Sequence, residues 1–125
     1  QYIRSLEEPH YFVILHKRAD KLDDLVSSTL EKFNAQNFPD LKLNISNLIF
    51  NDQYTITFVA DLDNLTPAVV YFRTFNEKLP SVDRFRTHKM HNFVITKDNF
   101  DILYRTKGLD EYLQFFEKNY PKETQ

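Results

Sequence analysis

Four histidines are the residues of this 125-residue chain best suited to acid–base or metal chemistry. His10 and His16 enclose the apolar run of "HYFVILHKR". A strand would place both on one face but about 20 Å apart, because each residue advances by roughly 3.3 Å. His88 and His91 would point to opposite faces of a strand. Neither pair can share a metal ion, and we expect His10 and His16 to lie at the rim of a sheet.

Two groups of carboxylates could also carry chemistry. Asp61 and Asp63 follow a predicted strand, where an acidic pair can bind a cation or act as acid and base. We interpret them as a solvated turn. Asp20, Asp23 and Asp24 precede a helical pattern, where carboxylates favour the helix dipole. Neither group has a nucleophile beside it, so we predict no enzyme activity, no cofactor and no metal site.

Residue types that the chain lacks exclude several protein classes. The absence of cysteine excludes thiol catalysis, thiolate zinc sites and disulfides. A single glycine, Gly108, cannot form a phosphate loop, a dinucleotide-binding fingerprint or a nucleophile elbow. A net charge of −2 argues against nucleic-acid binding. No apolar run reaches the length of a membrane span, so we predict no membrane insertion by this chain.

One stretch of the sequence concentrates positive charge. "RFRTHK" carries arginine, histidine and lysine around an aromatic residue in a predicted loop, and such a patch can receive an anionic or acidic partner. The last helix adds an aromatic stripe at helical spacing. We therefore predict a contact surface that includes Arg84, Phe85, Arg86, Lys89, Tyr112 and Phe116.

The elements that must position these residues follow from hydrophobic periodicity. The apolar run at 10–16 predicts a strand buried on both faces. Apolar residues between 22 and 33 recur with helical spacing. The segments 41–50 and 53–60 alternate as a β-hairpin, with a two-residue turn at 51–52 and a phase slip near 46–47 that predicts a bulge.

The second half of the chain predicts one strand and three helices. Thr66 is the expected N-cap of the first helix, with Pro67 at the first helical position. This helix should end by Pro80. The other predicted elements are a strand at 90–96 and helices at roughly 97–104 and 107–119.

The order β-α-β-β-α-β, followed by a C-terminal helical appendix, predicts an α+β fold of the ferredoxin-like type. The first and third strands would be central in a four-stranded antiparallel sheet, with two helices on one face. The appendix would cover the other face or an edge. We expect one domain at 9–120, with flexible ends at 1–8 and 121–125. The sheet face opposite the helices and the aromatic C-terminal stripe are the predicted interaction surfaces.

Two other families share this topology. An RNA-recognition motif requires a glycine-rich third strand that starts with a basic residue, and "YTITFVA" matches that pattern only at Phe58 and Val59. The sporulation-related repeat domain, which binds denuded glycan of peptidoglycan, has glycine-containing strand signatures that this chain lacks. Glycan binding stays open as the alternative function, on fold analogy alone.

The ordered motifs themselves resemble one family. "HYFVIL", a helix with Phe33–Asn34, "LKLNISNLIF" and "HNFVITKDNFDILYRTKGLDEYLQFFEKNY" are similar to the C-terminal domain of Bacteroidota tetratricopeptide-repeat lipoproteins of the gliding-motility and type IX secretion type (SprE/PorW-like). The resemblance extends from His10 to Tyr120. The most specific part is its end, where the matching residues include Phe93, Thr96, Asn99, Phe100, Leu109, Asp110, Tyr112, Phe116 and Tyr120.

The resemblance implies a location and a role. It implies the C-terminal fragment of a longer periplasmic repeat protein, anchored to the outer membrane through parts outside this chain. It implies a scaffold that contacts other envelope proteins and has no catalytic residues. We therefore expect a non-catalytic protein-interaction domain, with binding to peptidoglycan as the alternative.

Overall fold

The structure is a computed structural model that describes residues 1–79, 85 and 87–120. Its elements follow one another as β1 (His10–Lys17), a 3-10 turn (Arg18–Asp20), α1 (Asp23–Asn37), β2 (Ile45–Ile49), β3 (Tyr54–Leu62), α2 (Leu65–Lys78), β4 (His91–Thr96), α3 (Lys97–Thr106) and α4 (Leu109–Asn119).

The four strands form one antiparallel sheet in the order β2-β3-β1-β4. This confirms the predicted α+β class with a four-stranded antiparallel sheet, and it confirms that the first and third strands are central. Strand β1 has a neighbour on each side, and residues 12–16 are all buried. The continuous apolar run is therefore explained by burial of both faces.

Helices α1 and α2 cover one face of the sheet. The ring of Phe12 lies 5.0 Å from Tyr71 and 4.7 Å from Phe75, both in α2. Phe33 of α1 contacts the same two rings, at 5.2 and 5.6 Å. These four aromatic side chains join β1, α1 and α2 in one core, which explains the high phenylalanine content.

Helices α3 and α4 occupy the opposite face and the β4 edge. Tyr11 of β1 and Phe100 of α3 lie with ring centroids 5.2 Å apart, and Phe93 of β4 lies 5.0 Å from Tyr112 of α4. The sheet face that we expected to be an interaction surface is therefore covered by the helical appendix. A strand as apolar as β1 needs this second layer, because its outward side chains would otherwise meet water.

The predicted strand irregularity lies elsewhere. No bulge is present near 46–47, since β2 pairs with β3 in unbroken register from Ile45 to Ile49. The register shifts instead between His10 and Phe12, opposite a kink in β3 where Asp61 has a φ of 72°. Aspartate tolerates this left-handed backbone better than a branched apolar residue would, which suits it to the extra residue of a bulge.

The cap of α2 also differs from the prediction. Asn64, not Thr66, is the N-cap, and its side-chain oxygen accepts a hydrogen bond of 3.0 Å from the Thr66 amide. Pro67 then falls at the third helical position, where a missing N–H is still harmless because the first turn has no intrahelical partners. The helix ends at Lys78, before Pro80, as expected.

The connection between β2 and β3 is longer than the predicted two-residue turn. Four residues, 50–53, separate the strands. The Asn51 side-chain oxygen accepts hydrogen bonds of 2.9 Å from the amides of Gln53 and Tyr54. Asparagine therefore sets this turn through its own side chain.

The N-terminal segment 1–8, which we expected to be flexible, is bound to the helical appendix. The Ile3 amide donates a hydrogen bond of 3.0 Å to the Asn99 side chain, which returns one of 2.7 Å to the Ile3 carbonyl. Asn99 is buried, so this reciprocal pair also satisfies a polar group inside the protein. The other expected flexible end, 121–125, lies outside the described residues.

Candidate functional site

A cavity of about 310 Å³ opens between the C-terminal end of α2 and the start of β4. Strand β1 contributes one buried residue to its base. The residues that define its character are Phe75, Leu79, Phe85, Met90, Lys89 and the pair Asn76–Asn92.

The cavity has an apolar wall. Leu79, the C-cap of α2, follows Phe75 by four residues and keeps a helical backbone, so the two side chains lie on the same side of the helix. Phe85 is half-buried, and its ring lies 6.3 Å from that of Phe75. Met90 completes the wall from the strand side. Such a wall can accept an apolar side chain, since its own side chains are held by the core beneath.

A pair of amides forms the polar part of the lining. Asn76 and Asn92 exchange hydrogen bonds of 3.0 and 3.1 Å between their side chains, and Asn76 also donates one of 2.8 Å to the Phe72 carbonyl. These bonds fix both side chains and tie α2 to β4. Amides neither donate nor accept protons as acids or bases, so the pair can orient a ligand but cannot catalyse proton transfer.

The mouth of the cavity is positively charged. Lys89 is exposed, and among the described residues it has no hydrogen bond or ion pair. Nearby, the pKa of His91 is lowered first by burial and second by the charge of Lys89. His88 accompanies Lys89 in the lining. The arrangement can attract a carboxylate to the edge of an apolar cavity.

Two of the predicted contact residues meet at this cavity. Phe85 supplies part of the wall and Lys89 the charge. Two further residues of the predicted contact surface, Arg84 and Arg86, lie outside the described residues. The clustering of charge around one aromatic residue was the sequence signal, and Leu79 and Met90 were missed because an isolated apolar residue next to a loop carries no such signal.

The other two predicted contact residues are part of the core. Tyr112 is 0% exposed and Phe116 is 7% exposed. The Tyr112 hydroxyl donates a hydrogen bond of 2.6 Å to the Val94 carbonyl, and its ring packs on Phe93. The aromatic stripe of α4 therefore faces the sheet, and in this structure neither side chain is available to a partner.

His10 is the first residue of β1, at the end of the strand as predicted, but it is fully buried. Its Nδ1 donates a hydrogen bond of 2.8 Å to the Glu8 carbonyl, so its Nε2 accepts one of 3.0 Å from the Tyr120 hydroxyl. Burial lowers the pKa of His10 and raises the pKa of Tyr120 to about 12. Neutral imidazole and neutral phenol thus form a structural link between β1 and the end of α4.

His16 is also fully buried, and it begins a chain of polar contacts. Its Nε2 lies 2.8 Å from the Thr57 hydroxyl, which donates a hydrogen bond of 2.6 Å to the Asn47 side chain. The single proton of the Thr57 hydroxyl is used in the bond to Asn47. Its oxygen must therefore accept a hydrogen bond from a protonated Nε2 of His16. The other nitrogen, Nδ1, has no hydrogen bond and lies 3.8 Å from an Asp23 carboxylate oxygen. Burial lowers the pKa of His16, and Asp23 opposes that shift.

The carboxylate groups form no site. Asp61 accepts a hydrogen bond of 2.8 Å from the Asn44 side chain, and both Asp61 and Asp63 are exposed. Within residues 1–79, 85 and 87–120, no group of three or more histidine, cysteine, aspartate or glutamate side chains could hold a metal ion. In the same ranges, no helix has the length and apolar character that crossing a membrane requires.

A comparison of the chain with models of known protein families, with curated proteins and with solved structures finds no match.

Proposed function

We propose that the chain is a non-catalytic protein-interaction domain, and that its contact site is the cavity beside Phe85 and Lys89. The observation that carries this proposal is the combination of an apolar wall with an ammonium group at the mouth that has no partner within residues 1–79, 85 and 87–120. A cavity of about 310 Å³ is at the small end of the range for ligand pockets. It suits one anchoring side chain of a larger partner.

The proposed fold family is ferredoxin-like. The strand order β2-β3-β1-β4 and the alternation of strands and helices support it. Helices α3 and α4 are then an addition after β4 that covers the second face. The fold carries no function by itself, so the site has to be argued from its own chemistry.

The proposed partner is a protein with an acidic segment that carries an apolar side chain. The apolar side chain would pack against the cavity wall formed by Phe75, Phe85 and Met90, and the acidic groups would face Lys89. Arg84 and Arg86 add positive charge to the same stretch of sequence. Opposite charges raise the rate of encounter and discriminate between partners, while the buried apolar anchor supplies most of the affinity.

The proposed context follows the resemblance to C-terminal domains of tetratricopeptide-repeat lipoproteins. In that context the domain lies in the periplasm on an outer-membrane lipoprotein and acts as a scaffold in type IX secretion or gliding motility. Its partners are then other proteins of the cell envelope. The proposed contact site does not depend on this context, because it is inferred from the cavity alone.

Site-specific crosslinking tests the proposed site. A photoreactive phenylalanine analogue placed at position 85 should crosslink to one defined acidic envelope protein, and Lys89→Glu in the same chain should abolish that product. Lys42→Glu makes the matched control, because Lys42 is exposed and does not line the cavity. Crosslinking that is unchanged by Lys89→Glu would count against the cavity as the contact site.

Sedimentation with purified peptidoglycan separates the alternative function. We expect the chain to stay in the supernatant. The apolar wall and the positive charge of the cavity suit an acidic segment with an apolar side chain better than a polar glycan. If the wild-type chain sedimented saturably and Lys89→Glu weakened this binding, the ligand of the cavity would be the glycan and not a protein.

A further inference from the structure

The two edge strands of the sheet, β2 and β4, differ in how far the rest of the chain covers them. The outer strand β4 is covered, since its last four residues are buried and the Tyr112 hydroxyl of α4 donates to the Val94 carbonyl. The outer strand β2 is less covered, since none of its five residues is buried. Among the described residues outside the sheet, only the Tyr104 hydroxyl bonds to a backbone group of β2, and it donates a hydrogen bond of 3.2 Å to the Ile49 carbonyl at the last residue of the strand. Strand β2 is therefore the open edge.

The hydrogen bonds to β3 show which groups of β2 point outward. The Phe50 amide donates to the Tyr54 carbonyl, and the Asn44 carbonyl accepts from the Ala60 amide. Residues 44 and 50 thus face β3, and so do the even-numbered residues between them, because the direction alternates along an antiparallel strand. The residues whose backbone groups point away from the sheet are Ile45, Asn47 and Ile49.

The strand at the open edge has no protecting residue in its own sequence, and Lys107 lies beside its end, over the Phe50 ring. Exposed edge strands are normally guarded by lysine, proline, a bulge or a covering segment. The segment 44–51, "NISNLIFN", has no charged residue, no proline and no glycine, and its pairing with β3 is unbroken. Ile49 is 56% exposed. A regular edge strand with no charged residue of its own and with an exposed isoleucine is a template for one more strand.

We propose that β2 pairs antiparallel with β2 of a second copy of this chain, around a two-fold axis at Asn47. In this register Asn47 lies opposite Asn47 of the second copy, and Ile45 lies opposite Ile49. Every outward backbone group then meets an outward group, because all three residues have the same parity. The exposed Ile49 is covered by an isoleucine across the strand pair.

We infer that the added strand is a second copy of β2 because the sequence of β2 is complementary to itself. A two-fold axis places identical residues opposite each other, and a charged residue at the centre would repel its own copy. Strand β2 has an amide at the centre and isoleucines two residues away on each side. The Asn47 side chain is bound to Thr57 and Ser27 in its own chain, which leaves its backbone free to pair.

The contact of Tyr104 is compatible with this pairing. A carbonyl oxygen has two lone pairs, so the Ile49 carbonyl can accept from Tyr104 and from the second copy. The cavity beside Phe85 lies at the β4 side of the sheet, away from β2. The pairing is therefore independent of the proposed function, and either can fail without the other.

Sedimentation equilibrium of the whole chain over a wide concentration range tests the proposal. We expect a reversible monomer–dimer equilibrium, which Ile49→Lys weakens by about tenfold because both symmetry-related pairs lose an apolar contact and gain a charge. Val70→Lys is the matched control, since Val70 is 44% exposed on α2 and far from the edge. Its dimer should be as strong as that of the wild type.

A charge exchange tests the register itself. Ile45→Glu and Ile49→Lys should each weaken the dimer, and the double variant should regain it, because the antiparallel register places the new carboxylate opposite the new ammonium group. Amide hydrogen exchange at residues 45, 47 and 49 should slow as the wild-type concentration rises. A wild type that stays monomeric, or a dimer that survives Ile49→Lys with fast exchange at these amides, would overturn the proposal.

Discussion

At the scale of single residues, the two histidines that end β1 act as polar links to distant parts of the chain. His10 donates through Nδ1 and accepts from Tyr120, whereas His16 donates through Nε2 to Thr57. The two rings thus hold opposite neutral tautomers. Each is fixed by its partners because an unsatisfied nitrogen would be costly inside the protein. His16 Nδ1 is the exception, since only the Asp23 carboxylate lies near it.

Acidification should destabilise the protein through these histidines. The pKa values of His10 and His16 are lowered chiefly by burial, so below about pH 6.5 the unfolded chain binds more protons than the folded one. The free energy of unfolding then falls, by up to about 1.4 kcal/mol per pH unit for each histidine, until the folded pKa is reached. Urea unfolding between pH 7.5 and pH 5 measures this loss.

Asp23→Asn should sharpen the effect at His16. Asp23 favours the protonated ring, so its removal lowers the pKa of His16 further and enlarges the loss of stability in acid. Asp24→Asn is the control, because Asp24 is exposed and does not contribute to the shift. Titration of the His16 ring by NMR reads the pKa directly. A value at or above 6.5 in the wild type would contradict this account.

At the scale of elements, the caps decide where helices begin. Asn64→Ala should lower the free energy of unfolding by about 1 kcal/mol, because the Thr66 amide loses its acceptor. Thr66→Ala should change it by less than about 0.5 kcal/mol, since Thr66 is exposed and its side chain is not the cap. Thermal or urea unfolding of both variants compares them. If Thr66→Ala were more destabilising than Asn64→Ala, Thr66 would be the N-cap.

The same scale shows what the sequence can and cannot predict. Strand β1 was predictable because burial on two faces leaves a continuous apolar run, and helix α1 because burial of one stripe leaves a helical period. The bulge at Asp61 was not, because it depends on how β3 pairs with β1, and the alternation of β3 alone carries no trace of it. The end of α2 was predictable from Pro80, whereas its start was not, since Asn64 and Thr66 are both acceptable caps.

At the scale of the whole molecule, a sheet covered on both faces divides the aromatic residues into core and site. Tyr112 and Phe116 belong to the core, and Phe85 stands at the cavity. Periodicity predicts that a helix has an apolar face, but it does not tell whether that face meets the sheet or a partner. The charge beside Phe85 indicates that this stretch is not fully buried, and Phe85 is half-buried; its role as a contact residue stays a prediction.

This division predicts opposite behaviour for two variants. Phe116→Ala should lower the free energy of unfolding by about 3–5 kcal/mol, because a buried ring that touches Phe72 and Tyr120 leaves a cavity. Lys89→Glu should change stability by less than about 0.5 kcal/mol, because its side chain is exposed and unpaired among the described residues. Urea unfolding gives both values. A neutral Phe116→Ala would mean that α4 is not anchored to the sheet, and the aromatic stripe would then regain its place as a contact surface.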